Sequence, residues 1–130
     1  MSSGQDQERI QQLLVVVVDD DESVRESLPD LLREFGYEVL AFASADEFLR
    51  SGSVDRAQCL VLDIAMPVMS GLDLQKELMS RGYKIPVIFI TARKDESTGM
   101  RAREQGAVDV LFKPFSDVAL RDALTKAMGS

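Results

Sequence analysis

A chain of 130 residues with 45% hydrophobic and 28% charged content can build one soluble domain around a substantial core. Its net charge of −7 argues against a binder of nucleic-acid backbones, and the absence of histidine excludes serine–histidine and cysteine–histidine catalysis. A single cysteine, Cys59, permits no internal disulfide and fits a reducing cytoplasm, and no apolar stretch approaches the ~20 residues that span a bilayer.

Residues 1–12 are polar and are expected to fray as a disordered tail. Residues 13–18 are an apolar run of β-formers, read as a fully buried strand and too short for a signal-peptide core. The acids Asp19, Asp20, Asp21 and Glu22 follow it directly. One acid at this place is expected from helix capping alone, whereas four crowded together repel one another unless a cation sits among them. A helix over 23–35 carries Val24, Leu28, Leu31, Leu32 and Phe35 on one face, with Pro29 expected to kink it or weaken a turn and Gly36 to end it. A second strand spans 38–42. Ser44 and Glu47 form a capping box ahead of a short helix that buries Phe48 and Leu49, and 52–57 reads as a loop.

The third strand, 59–62, ends at Asp63. After a loop over 66–71, Ser70 caps a helix running to about Arg81. The fourth strand, 86–90, ends at Thr91. A weak helix over about 96–105 follows, short of apolar residues and interrupted by Gly99. Residues 108–112 contain the fifth strand, and Ser116 caps a last helix bearing Val118, Leu120, Ala123, Leu124, Ala127 and Met128. Five strand–helix repeats predict an α/β domain over 13–128: a doubly wound (βα)5 fold with a parallel five-stranded sheet in the flavodoxin-like order 2-1-3-4-5.

Ligands of such sheets bind beyond the carboxyl ends of the strands, at the topological switch point. Asp19 and Asp20 follow strand one, Asp63 strand three, Thr91 strand four and Lys113 strand five. With strands one and three adjacent and ~4.8 Å apart, the three acids share one pocket. Acids, a cation site, an ammonium and a hydroxyl around one point suit phosphoryl transfer to a carboxylate. Asp63, alone at its strand end, is the expected nucleophile, and Asp19 and Asp20 the expected metal ligands. Each residue also has a plainer reading: Asp63 as a loop acid, Thr91 as a cap, Lys113 as a solvated edge lysine.

These residues resemble the response-regulator receiver domain of two-component signalling, a CheY-like family. The likeness rests on Val17-Val18-Asp19-Asp20-Asp21, Val61-Leu62-Asp63-Ile64-Ala65-Met66-Pro67, Ile90-Thr91-Ala92 and Phe112-Lys113-Pro114-Phe115, and it covers nearly the whole chain. Residues 42–49 and 106–115 are similar to the FixJ-type subgroup, in which many receivers precede a helix-turn-helix output domain. The resemblance implies that Asp63 accepts phosphate from a sensor histidine kinase, catalysing at most its own phosphorylation and autodephosphorylation. It implies Mg²⁺, with Mn²⁺ able to substitute, held by Asp20, Asp63 and the Ala65 backbone carbonyl, with Asp19 holding a metal-bound water. Thr91, Ala92 and Lys113 would meet the phosphate, and the bond before Pro114 would be cis. Phosphorylation would switch a surface made by the fourth helix, fifth strand and fifth helix, through which two copies would pair. No nucleic acid or membrane is expected to contact this chain.

Three departures from the family pattern stand out. Val110 occupies a position that is often aromatic, so Phe112, two residues on and on the same strand face, is expected to supply the aromatic output surface with it. Ala65 and Arg93, which flank the phosphate, are expected to alter its lifetime. The competing readings are weaker. A haloacid-dehalogenase-type hydrolase needs a second acid where Ala65 stands, and a flavodoxin-type electron carrier would have its flavin phosphate repelled by Asp19–Glu22. Two further readings are a stand-alone receiver and an interaction module with a dead site.

Overall fold

The computed structural model describes residues 12–92 and 96–129; the expected tail up to Gln11, and Arg93, lie outside the described residues. The elements alternate as β1 (Leu14–Val18), α1 (Glu22–Glu34), β2 (Glu38–Phe42), α2 (Ala45–Arg50), β3 (Cys59–Asp63), α3 (Gly71–Ser80), β4 (Val87–Thr91), α4 (Glu96–Glu104), β5 (Asp109–Phe112) and α5 (Asp117–Met128). The strands form one parallel sheet in the order β2-β1-β3-β4-β5, as the repeat pattern predicts.

The sheet divides the interior into two cores because successive strand residues face opposite ways. Val16, Val18, Leu60, Leu62, Phe89 and Val110 face the layer of α2, α3 and α4, where Phe48, Leu74 and Ala102 are buried. Val15, Val17, Val61, Ile88 and Ile90 face α1 and α5, packing with Leu28, Leu32, Leu120 and Leu124. All residues of β1, β3 and β4 are buried, as expected for central strands covered on both faces. Cys59 belongs to the second core, and burial pushes its thiol up to about 12, which makes it inert at neutral pH.

The helix starts follow the capping signals. The Asp21 side chain accepts from the Ser23 N–H at 3.0 Å, Ser70 from Asp73 at 3.1 Å and Ser116 from Ala119 at 3.0 Å. Ser44 accepts from Glu47 at 3.1 Å, but Glu47 reaches back one residue further than expected, accepting from the Ala43 N–H at 2.9 Å. Pro29 is buried within α1, which runs through it unbroken. The 52–57 loop contains a 3-10 turn, Val54–Arg56, that tucks Val54 into the first core.

Candidate functional site

Sheet register brings the strand ends to one rim. Val18 pairs with Leu62, so Asp19 and Asp63 follow at the same height on neighbouring strands. Asp63 pairs with Ile90 and Thr91 with Phe112, which carries Thr91 and then Lys113 to the same edge. Asp19, Asp63 and Thr91 are buried, whereas Asp20 is exposed, so the cluster opens to solvent on the Asp20 side. One carboxylate oxygen from each of Asp19, Asp20 and Asp63 lies within 4.8 Å of the others.

Compensating charge reaches these acids unevenly. Lys113 Nζ lies 3.0 Å from Asp19 Oδ2, whose side chain is wholly buried. Asp19 Oδ1 also accepts the Asp21 N–H at 2.9 Å, and the Asp19 carbonyl accepts from the Arg25 guanidinium at 3.0 Å. Asp63 Oδ1 accepts the Ala65 N–H at 3.2 Å. Burial and then the neighbouring Asp19 charge push the Asp63 carboxyl up to about 6, with Asp20 adding to the rise and Lys113 and the Ala65 amide opposing it. Three hard oxygen donors with one open side and an excess of negative charge can hold a metal ion.

Not every acid of the run joins the cluster. Asp21 caps α1, and its hydrogen bond from the Ser23 hydroxyl holds its carboxyl below the usual range. The capping reading therefore applies to Asp21, and the cluster reading to Asp19 and Asp20.

Residues 15–125 match the description "Response regulator receiver domain". The chain belongs to that family. The receiver is 50% identical over 114 residues to nodulation protein W of Bradyrhizobium diazoefficiens, covering 88% of this chain and 50% of that protein. It is 44% identical over 118 residues to the transcriptional regulatory protein FixJ of Azorhizobium caulinodans, covering 90% of this chain and 56% of that protein. The crystal structure of FixJ-N superposes with a TM-score of 0.82 at 36% identity, covering 92% of this chain and 95% of that one. The receiver thus spans about half the length of the curated relatives it matches.

Around the cluster, Ala92 follows Thr91 and is exposed, and the Lys113–Pro114 peptide is cis. At the output face expected from Val110 and Phe112, Val110 is the residue that the structure corrects. Val110 is 4% exposed and packs in the first core, since β5 turns that side toward α4; Phe112 is half-buried against the same cluster. Arg93, singled out beside Thr91, is outside the described residues.

Sequence reasoning passed over Gly71, which opens α3 directly behind its Ser70 cap and is buried. Its N–H donates to the Ile64 carbonyl at 3.1 Å, closing the loop that begins at Asp63. The signal available was its place: glycine is a poor first-turn residue unless another backbone comes close.

Proposed function

We propose that Asp63 of this receiver accepts a phosphoryl group from the phosphohistidine of a sensor histidine kinase. An ionised Asp63 oxygen attacks phosphorus, the phosphorus–nitrogen bond breaks, and the departing imidazole nitrogen keeps the electron pair and takes up a proton. The observation that carries this reading is the convergence of Asp63 with Asp19, Asp20 and Lys113 on one half-open rim. The donor set fits Mg²⁺, with Mn²⁺ able to substitute: when bound by Asp20, Asp63 and the Ala65 carbonyl, with Asp19 acting through water, it neutralises charge on the phosphoryl oxygens. Lys113 leaves Asp19 to pair with a phosphoryl oxygen, and the Thr91 hydroxyl and the Ala92 N–H donate to the others. The same site returns the domain to its resting state by hydrolysis.

Movement of Thr91 toward the phosphate biases α4, β5 and α5 to a second packing, and two copies pair through that face. The relatives named as transcriptional regulators support a receiver, over residues 13–128, that works within a longer FixJ-type regulator; a stand-alone receiver is the second reading. The kinase partner and the free, buried thiol of Cys59 fit the cytoplasm. The test is incubation with a small acyl-phosphate donor and Mg²⁺, read by intact mass. The wild type is expected to gain one phosphoryl group and Asp63→Asn none; incorporation by the variant at the wild-type level would refute the assignment.

A further inference from the structure

We infer that Gly71 is a positioning residue for the acceptor site: its missing side chain lets the start of α3 press against the backbone of Asp63, and so sets where the Asp63 carboxylate and the Ala65 carbonyl point. The inference rests on the reading of Asp63 as phosphoacceptor. A Cβ at Gly71 would fall inside van der Waals contact of the Asp63 carbonyl oxygen, 3.1 Å from its carbonyl carbon and 3.2 Å from Ile64 Cα. All three obstacles are backbone atoms, so no side chain can swing aside to admit it. Gly71 has no positive φ, so close approach and not turn geometry is what demands glycine here.

The resulting displacement falls on the acceptor loop. The start of α3 is fixed by the Ser70–Asp73 capping box and by buried Leu72 and Leu74. Beyond Ile64 the loop is held less regularly. It makes two tight turns, with the Met66 N–H donating to the Ile64 carbonyl at 3.1 Å and the Met69 N–H to the Pro67 carbonyl at 2.8 Å. The second turn is centred on Val68, a β-branched residue at φ 69°. Ile64 is itself tied to β4, its N–H donating to the Ile90 carbonyl at 3.1 Å. A Cβ at Gly71 is therefore relieved by twisting the Asp63–Ile64 peptide and shifting the loop from Ala65 onward, which turns two expected metal ligands away from Asp19 and Asp20. Phosphoryl transfer tolerates such shifts poorly, since about 1 Å of misplacement can lower a rate about 100-fold.

The test compares Gly71→Ala with Leu78→Ala, which empties a buried site at the far end of the same helix. Mg²⁺ affinity is measured by calorimetry and phosphate incorporation from an acyl-phosphate donor by mass, at a temperature where circular dichroism shows each variant folded. Gly71→Ala is expected to lose at least about tenfold in both quantities, while Leu78→Ala, though less stable than the wild type, stays within about twofold in both. Gly71→Ala within twofold of the wild type, or Leu78→Ala impaired equally, would overturn the inference. Should Gly71→Ala not fold, the measurements are made in a Val68→Gly background, whose turn is relaxed; failure to fold there too would assign Gly71 to stability alone and also overturn it. A wild type that binds Mg²⁺ but takes no phosphate refutes the phosphoacceptor reading, and the affinity comparison still decides the part played by Gly71.

Discussion

Asp63 is an acid held where its charge is disfavoured. Its carboxyl is raised to about 6 by burial and by Asp19, well above the ordinary value of about 4. Without metal, the folded state therefore binds this proton more tightly than the unfolded chain does. The stability linked to this site is fully present below about pH 4, falls as pH rises toward 6, and stays lower above that. Allowing for solvent on the Asp20 side, the loss is about 1–2 kcal/mol. Asp63→Asn removes the charge while its amide oxygen still accepts the Ala65 N–H. In chelator at pH 7.5 the variant is expected to be about 1–2 kcal/mol more stable than the wild type by urea unfolding, with the difference vanishing near pH 4. A variant equally stable at both pH values would show that the acids do not strain the fold. Lys113 does not remove this strain because its ammonium is already engaged with Asp19.

Among the helices, α4 buries no large side chain among its described residues. Gly99 and Ala102 are its buried residues among those described, while Met100 remains 59% exposed. The sequence announced this weakness through the lack of apolar residues between 96 and 105. A Cβ on Gly99 would meet Arg103 Nη1 at 3.5 Å and Phe112 Cζ at 3.7 Å, ordinary contacts that require no adjustment. Gly99→Ala is therefore expected to stabilise the domain by about 0.5–1 kcal/mol through helix propensity, visible as a raised urea midpoint; an unchanged or lowered midpoint would mean that the helix is under tension at this point. Strand order, helix faces and caps were legible because each rests on a local pattern: apolar runs for β1, β3 and β4, 3.6-residue spacing for α1, and serine caps for α2, α3 and α5. The burial of Val110 was not, because alternation alone does not say which side of β5 the α4 layer covers. Nor was the obstacle at Gly71: its unusual first-turn place was readable, but the Asp63 carbonyl is eight residues away in sequence and becomes its neighbour through the loop's path.

At the scale of the whole molecule, two cores on opposite faces hold the sheet rigid, and the site lies on the rim where they meet. Surface ion pairs do little to fix the α4–β5–α5 side. Asp109 takes Arg103 of α4 at 3.7 Å and Lys126 of α5 at 3.0 Å, but both cations are more than half exposed, which limits each pair to under about 1 kcal/mol. The acids themselves couple the site to the fold. Asp19 and Asp20 are separated from Asp63 by more than forty residues and converge only when β1 and β3 pair. A divalent ion that needs all three binds the folded chain and not the unfolded one, and must stabilise it. At a Mg²⁺ concentration of 100 times its dissociation constant, the gain is about 2.7 kcal/mol. The urea midpoint at pH 7.5 is therefore expected to climb with Mg²⁺, to climb much less at pH 5 where Asp63 is largely protonated, and to respond only weakly in Asp20→Asn. A midpoint indifferent to Mg²⁺ in the wild type would mean that the three carboxylates, though assembled, do not act as one site.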